Sequence, residues 1–525
     1  MLKLRLLSTL LAALLGSCGG QAGKGHSVLL ITLDTTSAGA LSCYGALPGL
    51  TPHLDRLARE GVVYDNARTV APLTGPAHAS MLTGLYPPRH GVRVNASMAL
   101  PEAARTLAEE VGPRGVATGA VIAAAVLDHS LGFSQGFAEY DEPDGEAGAP
   151  RQAAMVARGG IRWLRKKPVG EPFFLWLHFF DPHHPYEPPR AFLERAQGDP
   201  YLGEVAYMDH HIGRVLEVLE QEGLLDETLI LVVGDHGEGR GLHGEDTHGN
   251  CVFDSTLRVP LVVRYPDGWG GGERYSEPVS VVDVQPTVLE AFGLAAPSNV
   301  DGRSLYRTLP DPERGVYFES YLGHVSFGWS HLVGWADRKG KFIHGSSPEF
   351  YVLMDDSQEH KNRISTVGSD VGPYRRSLGE VCGRGRLERG ELQDSPEDLQ
   401  AQIADLGYAG TDSEVTQLPD PLDGSDRPSP HARITEAREF QKAHLLVSQG
   451  RFAEALPILL EMTEEDGTNP TALYLLGRCL MKAERYHEAI AAFERAIDLR
   501  DGRFSACRLR LARCYEAIRI TGEAR

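Results

Sequence analysis

The residues with the clearest chemical potential lie in the stretch TVAPLTGPAHASMLTGLYPPRHGV, from Thr69 to Val92. Thr74 stands two residues before Pro76, and proline favours the first turn of a helix, so the pattern predicts a helix from Pro76 through Leu82. The Thr74 hydroxyl would then lie at a helix N-terminus, where free N–H groups and the helix dipole attract anions and stabilise a developing alkoxide. An N-cap threonine without chemistry has the same local pattern, so the surrounding elements must decide between these interpretations.

Three other apolar runs of strand length each end in an acid. They are residues 28–33 before Asp34, residues 173–180 before Asp181, and residues 229–234 before Asp235 and His236. Continuous apolar runs are typical of strands buried on both faces of a parallel sheet. Functional groups gather at the carboxyl ends of such strands, so we expect the acids and the histidine at one edge, with the Thr74 loop among them. Carboxylates and imidazole beside a hydroxyl suit a hard to borderline divalent cation.

From Ser27 to about Arg363, the sequence resembles the sulfatase family of the alkaline-phosphatase superfamily. The resemblance rests on segments that occur in the order of the family, among them ITLDTTSAGALSCYG, TGPAHASMLTGLYPPRHGV, PFFLWLHFFDPHHPYEPP, LLDETLILVVGDHGEGRGLHGEDTHGN and VSVVDVQPTVLEAFGL. It implies an α/β fold in which a large, mostly parallel sheet lies between helices, with a small C-terminal sheet beside it.

The segment around Thr74 departs from the sulfatase pattern. Sulfatases carry Cys or Ser followed by x-Pro-x-Arg, and that first residue is oxidised to formylglycine. This chain reads Thr74-Gly-Pro76-Ala-His78, and threonine cannot become formylglycine, so no formylglycine is expected. The first strand also ends in Asp34-Thr35 instead of paired acids. The pattern Thr-x-Pro-x-His resembles the nucleotide pyrophosphatase/phosphodiesterase branch of the superfamily, in which the threonine is a metal-bound nucleophile.

The resemblance implies a metal-dependent ester hydrolase or transferase. The residues that it assigns to a first divalent metal, with Zn, Mn or Ca as candidates, are Asp34, Thr74, Asp235 and His236. Asp181 and His248 are the candidates for a second metal, although the Asp-x-x-x-His spacing of the diesterase branch is absent after Asp181. The candidate catalytic residues are Thr74, His78, His183 and His248. In sulfatases, residues near the positions of His183 and His248 bind the sulfate oxygens instead.

Three functions remain open at this point. A threonine nucleophile favours phosphate esters, and diesters before monoesters, because a single hydroxyl offers no elimination route from a sulfated intermediate. A sulfuric ester hydrolase that uses metal-bound water as the nucleophile is the first alternative. The second is an inactive sulfatase-like scaffold that presents an interaction module.

The N-terminal residues predict export. The sequence MLKLRLLSTLLAALLGSC has a basic start and an apolar run too short to span a bilayer. Leu15-Gly-Ser-Cys18 resembles a bacterial lipobox, which makes residues 1–17 a lipoprotein signal peptide and residues 18–25 a tether. Cys18 would then carry the lipid that anchors the protein in the bacterial cell envelope, at the periplasm or outer membrane. An ordinary signal peptide with an incidental cysteine is the alternative.

Composition limits the partners. A formal net charge of −19 leaves no basic surplus to neutralise phosphates, so the chain is not expected to bind nucleic acid. The 7 cysteines show no short regular spacing that would indicate a disulfide framework or a zinc knuckle. The expected substrate is an anionic ester.

The C-terminal part of the chain carries a repeat. GRFAEA around Phe452 recurs as ERYHEA around Tyr486, and this period of about 34 residues resembles the tetratricopeptide repeat, an all-α module. The predicted domains are a catalytic domain over 26–363, a linker over 364–435 and the repeats over 436–525. The repeats are expected to dock on the catalytic domain or to bind a protein or peptide partner. They are also expected to be dispensable for turnover of a small ester, since all candidate site residues precede the linker.

Overall fold

The computed structural model describes residues 26–96, 98–143, 150–388, 390, 418–465, 467, 469–499 and 504–523. The predicted signal peptide, Cys18 and the tether lie outside these residues, as do residues 389 and 391–417 of the predicted linker. Within the described residues, no helix has both the length and the apolar character needed to cross a membrane.

A sheet of eight strands forms the centre of the catalytic region, with the strand order β5-β4-β6-β1-β7-β8-β2-β9. Its strands are β1 (Ser27–Leu33), β2 (Val62–Tyr64), β4 (Ala117–Val121), β5 (Glu139–Asp141), β6 (Phe173–Phe179), β7 (Thr228–Gly234), β8 (Leu261–Arg264) and β9 (Arg274–Tyr275). Strand β1 is parallel to both β6 and β7, whereas β8 is antiparallel to β7 and β2. Leu33 is in register with Phe179 and Gly234, so these strands end at one edge, as predicted.

Helices cover both faces of this sheet. They are α1 (Pro52–Glu60), α2 (Thr74–Thr83), α3 (Pro87–His90), α4 (Leu107–Val111), α5 (Ala153–Lys166), α6 (Arg190–Arg195), α7 (Pro200–Gln221), α8 (Asp254–Leu257) and α9 (Val284–Ala291). Alternate residues of β1 pack into the two cores, Leu30 on the side of α2 and Ile31 on the side of α7. Burial on both faces explains why the strand sequences are continuously apolar.

A small antiparallel sheet lies beside the large one, as the sequence predicts. Its strands are β11 (Val316–Ser320), β12 (Leu332–Ala336), β13 (Lys341–His344) and β14 (Glu349–Tyr351), in that order. Two short parallel strands, β3 (Ala67–Arg68) and β10 (Val279–Ser280), form a separate pair. Helix α10 (Leu322–Phe327) connects β11 to β12. The expected α/β class and the two-sheet arrangement are confirmed.

The start of the predicted linker is folded. Helices α11 (Ile364–Val367) and α12 (Gly372–Cys382) follow the small sheet, and Tyr374, Leu378 and Val381 are buried in the core on the α2 side of the large sheet. This differs from the expected linker over 364–435, because these three apolar side chains recur at helical spacing and bury a face of α12.

Five helices form the repeat region: α13 (Pro430–Ser448), α14 (Phe452–Glu465), α15 (Pro470–Lys482), α16 (Tyr486–Asp498) and α17 (Ser505–Glu523). The first of them begins six residues before the predicted boundary at residue 436. Small residues allow close packing, since a Cβ at Gly477 would lie 2.4 Å from Cε1 of Phe493. Cys507 and Cys514 are buried in this core and form no disulfide with any of the described residues.

Candidate functional site

The edge at the ends of β1 and β7 places three of the predicted ligands together. Asp34 follows β1, and Asp235 and His236 follow β7, with all three side chains fully buried. Nε2 of His236 lies 3.7 Å from Oδ1 of Asp34 and 3.7 Å from Oδ2 of Asp235. The chain makes a strained turn here, since Thr35 has a φ of 46°, which is rare for a β-branched residue. Its hydroxyl donates a hydrogen bond to the Pro182 carbonyl at 2.8 Å.

Thr74 lies in the same group. It is the first residue of α2, so the helix begins two residues earlier than the sequence predicts. Its Oγ1 is 3.4 Å from Oδ2 of Asp34 and 3.4 Å from Nε2 of His236. The hydroxyl therefore stands at a helix N-terminus and between a carboxylate and an imidazole, as expected.

The donor set fits a divalent cation. One ligand atom from each of Asp34, Asp235 and His236 lies within 4.8 Å of the others. Oδ1 of Asp34 and Oδ2 of Asp235 are buried and accept no hydrogen bond within the described part of the chain, and unpaired buried carboxylate oxygens are costly unless a cation neutralises them. Nδ1 of His236 donates to the Gly237 carbonyl at 3.1 Å, so the neutral ring directs the lone pair of Nε2 toward the carboxylates.

Electrostatics agree with this assignment. Burial and the charge of Asp34 raise the pKa of Asp235 well above its usual value. Burial also lowers the pKa of His236 far below its usual value, which keeps the imidazole neutral, the form that binds metals. Two buried carboxylates that repel each other can both be ionised when a cation lies between them.

His183 and His248 form the side of the site that faces the cavity. The His248 ring lies 4.3 Å from the His236 ring and 5.5 Å from the His183 ring, centroid to centroid. His183 stacks on Phe180 at 4.2 Å, and Nδ1 of His248 lies 3.2 Å from Oε1 of Glu238. Burial lowers the pKa of each of the two histidines to about 4.

Asp181 is turned toward another element. Its Oδ2 accepts a hydrogen bond from the Ala153 backbone N–H at 2.7 Å, at the start of α5. Burial raises its pKa to about 6. Among the described residues, neither Asp181 nor His248 belongs to the two buried clusters of possible metal ligands. The structure thus does not place them together as a second metal set.

His78 lies behind Thr74. Its Nδ1 donates to the Thr74 carbonyl at 2.8 Å, and its Nε2 is 2.9 Å from Oγ1 of Thr32. The indole N–H of Trp176 donates to the same Thr32 oxygen at 2.9 Å. Nδ1 is also 3.7 Å from Oδ2 of Asp235. His78 thus contacts the backbone of Thr74 from within the fold.

Three polar residues near the site were not singled out from the sequence. His178 lies inside β6, with Nε2 3.2 Å from Oδ2 of Asp34. Asn95 accepts a hydrogen bond from the Gly75 N–H at 2.7 Å, while its Nδ2 has no partner within the described residues. Glu238 is buried beside His248, and burial raises its pKa well above the usual value. A polar residue within an apolar strand, such as His178, was the available signal.

A cavity of about 1310 Å³ adjoins this edge through Asp181, His183 and His248, whereas Asp34, Thr74, Asp235 and His236 are not among its lining residues. His183 and His248 line it together with the aromatic rings of Tyr186 and Tyr207. Part of its wall comes from the repeat region, through residues of α13 from Arg438 to Ser448. The repeats therefore dock on the catalytic region, one of the two expectations, and border the cavity.

Sheet, edge and donor set define an α/β protein with a candidate metal site at the carboxyl ends of its parallel strands. The family model described as Sulfatase matches residues 26–294, so the chain belongs to the sulfatase family. The model described as N-sulphoglucosamine sulphohydrolase, C-terminal, matches residues 247–366. Residues 432–496 match the model of anaphase-promoting complex, cyclosome, subunit 3. The protein is a sulfatase-family hydrolase with a C-terminal module of tetratricopeptide type.

Curated relatives are sulfatases. The chain is 28% identical over 438 residues to the steryl-sulfatase of Mus musculus, covering 60% of this chain and 70% of that protein. It is 24% identical over 438 residues to an arylsulfatase of Clostridium perfringens, covering 65% of this chain and 90% of that protein.

Solved structures share the fold. The phosphonate monoester hydrolase of Agrobacterium radiobacter has a TM-score of 0.58 at 22% identity, covering 68% of this chain and 95% of that one. A protein solved in complex with its substrate D-glucosamine-2-N,6-O-disulfate has a TM-score of 0.60 at 20% identity, covering 69% of this chain and 98% of that one.

Proposed function

We propose that the protein is a metal-dependent hydrolase of phosphate esters, diesters before monoesters, with Thr74 as the nucleophile. The observation that carries this proposal is the position of the Thr74 hydroxyl, 3.4 Å from both Asp34 and His236 at the start of α2. Helix N-terminal N–H groups favour negative charge at that oxygen and on a bound anion.

The residues that would hold the cation are Asp34, Thr74, Asp235 and His236. A divalent cation bound there supplies positive charge that lowers the pKa of the hydroxyl and offsets the charge on phosphoryl oxygens. Zn accepts both the carboxylate and the imidazole ligands, whereas Mn and Ca favour the oxygen ligands of this set. The unpaired oxygens of Asp34 and Asp235 also favour an enzyme over an inactive scaffold, because a scaffold gains nothing from buried carboxylates that lack partners.

In the reaction, Oγ1 of Thr74 attacks phosphorus, the bond to the leaving oxygen breaks, and the alcohol leaves with a proton. Water then attacks the phosphoryl-threonine, which releases the phosphate product and restores the hydroxyl. His183 and His248 line the cavity beside the metal-ligand set, where their rings can contact the oxygens of a bound anion.

The argument for phosphate rests on the single hydroxyl of Thr74. A hydrated formylglycine expels sulfate by elimination through its second hydroxyl, and threonine has no such route. A threonine sulfate would need displacement by water at sulfur. Among proteins of the same fold is a phosphonate monoester hydrolase, which is compatible with chemistry at phosphorus in this fold.

The competing function is a sulfatase that uses a water nucleophile, with Thr74 as a ligand only. The sulfatase names of the curated relatives favour it. It predicts that aryl sulfate is preferred and that turnover survives the loss of the threonine hydroxyl.

The deciding experiment compares kcat/KM for an aryl phosphate diester and the matched aryl sulfate, in the parent protein and in Thr74→Ala. Thr74→Ser is the control, because it keeps the hydroxyl. We expect the diester to be preferred and Thr74→Ala to lose its turnover while Thr74→Ser retains it. A sulfate preference of about tenfold or more, which is about 1.4 kcal/mol of transition-state discrimination, that persists in Thr74→Ala would establish the competing function.

We also propose that the hydrolase is exported and held in the cell envelope by a lipid on Cys18. The basic start, the short apolar run and Leu15-Gly-Ser-Cys18 support this. The Cys18→Ser protein should leave the membrane fraction. Retention as complete as that of the parent, or an unprocessed Met1 on the mature protein, would contradict it.

For the repeat region, we propose a protein or peptide partner, because helical repeats of this type stack to present extended binding surfaces.

A further inference from the structure

Helix α13 of the repeat region forms one side of the cavity that contains His183 and His248. The cavity-lining residues of this helix include Arg438, Phe440, Gln441, Lys442 and His444. At about 1310 Å³, the cavity exceeds the roughly 300–1000 Å³ of common small-molecule sites. The repeat helix is thus part of the surface that a bulky substrate meets.

The helix is fixed to the catalytic region through its apolar face. Ile434 and Ala437 are buried in the same core as Trp329 and the outer face of the small sheet. The ring of Phe440 meets the ring of Phe327 edge to face, with centroids 5.4 Å apart. A face buried in this way holds α13 at a defined distance from the site.

Two polar side chains of α13 contact the loop that carries His248. Nε of Arg438 donates to Oδ2 of Asp246 at 2.8 Å, and the side-chain amide of Gln441 donates to Oγ1 of Thr247. Asp246 and Thr247 immediately precede His248. Backbone hydrogen bonds also hold this loop, from the Gly239 N–H to the Thr247 carbonyl and from the Arg240 N–H to the Asp246 carbonyl. The contacts from α13 add to these through the side chains of Asp246 and Thr247.

The ion pair is exposed, with 55% of the Arg438 side chain and 42% of the Asp246 side chain accessible. Exposed pairs contribute little to the free energy of unfolding, so the Arg438–Asp246 pair is not needed for folding. The bond from Gln441 to Thr247 is partly buried. The two contacts set the position of the loop that carries His248. Displacement of a catalytic group by about 1 Å can lower turnover by orders of magnitude.

We propose that α13 belongs to the substrate site and that Arg438 and Gln441 are positioning residues for His248. This inference rests on the proposed ester hydrolase function. It replaces the expectation that the repeats are dispensable for turnover.

The test uses the full chain with Arg438→Ala, Gln441→Ala and the double variant. We expect kcat for an aryl phosphate diester to fall about tenfold in the double variant, while metal content and melting temperature match the parent. KM should change less than kcat, because a small ester does not reach α13. Matched controls are Arg451→Ala and Gln449→Ala, whose side chains are exposed and bond to each other within the repeats. Both controls should keep the parent kcat.

Two further substitutions of Arg438 distinguish positioning of the loop from packing of the arginine side chain. Arg438→Lys keeps a cation for Asp246 and should retain most of the turnover, whereas Arg438→Met keeps the stem and should behave like Arg438→Ala. Parent kcat in the double variant, or an equal loss in Arg438→Lys and Arg438→Met, would overturn the inference.

A parent protein without turnover of any ester would contradict the proposed function, and the same variants would then be compared for binding of inorganic phosphate. An increase of about tenfold in the Kd of the double variant would support the positioning of His248. An unchanged Kd would overturn it.

Discussion

Nε2 of His178 lies 3.2 Å from Oδ2 of Asp34 in the buried floor of the site. The backbone N–H of Ala123 donates to Nδ1 of the same ring at 3.3 Å, so a neutral His178 carries its proton on Nε2 and donates it to Asp34. Burial lowers the pKa of His178 to about 3, which keeps the ring neutral near pH 7. The hydrogen bond fixes the orientation of the Asp34 carboxylate.

We predict that His178→Leu lowers the affinity for the divalent cation by about 10- to 100-fold, the usual effect of removing a residue that orients a metal ligand. Calorimetric titration of metal-free protein measures this. His331→Leu is the control, because His331 is equally buried but bonds to the Pro421 carbonyl. Unchanged affinity in His178→Leu would show that Asp34 does not need this hydrogen bond.

The carboxylates and the hydroxyl should have separable roles. Asp34→Ala and Asp235→Ala each remove a charge that holds the cation, so metal content after dialysis should fall. Thr74→Ala removes a neutral group, so metal content should stay near that of the parent while turnover is lost. Elemental analysis and kcat measured on the same samples provide the comparison. Equal metal loss in all three variants would contradict separate roles.

Glu204 on α7 should make stability depend on pH. Burial raises its pKa to about 8, although the Glu187 N–H donates to it at 2.7 Å. The unfolded pKa is about 4.3, so the folded state binds the proton more tightly. Below about pH 4, Glu204 contributes fully to the free energy of unfolding. This contribution is lost as the pH rises toward 8.

Glu204→Gln keeps a side-chain oxygen that can accept the Glu187 N–H and removes the titratable carboxyl group. The free energy of unfolding should then change less steeply between pH 4 and 8, by at most about 1.4 kcal/mol per pH unit. Denaturant titrations at a series of pH values measure the slope. Identical slopes for variant and parent would rule out Glu204 as the group responsible.

Gly477→Ala should destabilise the repeat region. The added Cβ would lie 2.4 Å from Cε1 of Phe493, and overpacking of a core costs about 1–3 kcal/mol. Gly379→Ala in α12 is the matched control, since a Cβ there meets nothing within 4 Å. It should be neutral or stabilising by up to about 1 kcal/mol, because alanine favours a helix. Thermal melts followed by circular dichroism distinguish the two, and equal shifts would contradict the packing argument.

The sequence by itself determined the strand ends and the place of Thr74 at the start of a helix. Burial of β1, β6 and β7 on both faces requires continuous apolar runs, so the acid that ends each run is visible without a structure. Proline two residues after Thr74 likewise indicated the helix start to within two residues. The repeat period predicted the helices of the C-terminal region, because each helix pair has small and aromatic residues at the same packing positions.

Only the tertiary structure decided which of these groups meet. His178 lies in an apolar run, and the register that pairs it with Thr32 of β1 brings it to Asp34. Asp181 lies two residues beyond the end of β6 at Phe179, and the position of α5 turns its carboxylate toward the Ala153 N–H. A periodic pattern specifies the buried face of a helix but not the surface that covers it, so the contact of Gln441 with the loop carrying His248 depends on long-range packing between segments far apart in the chain.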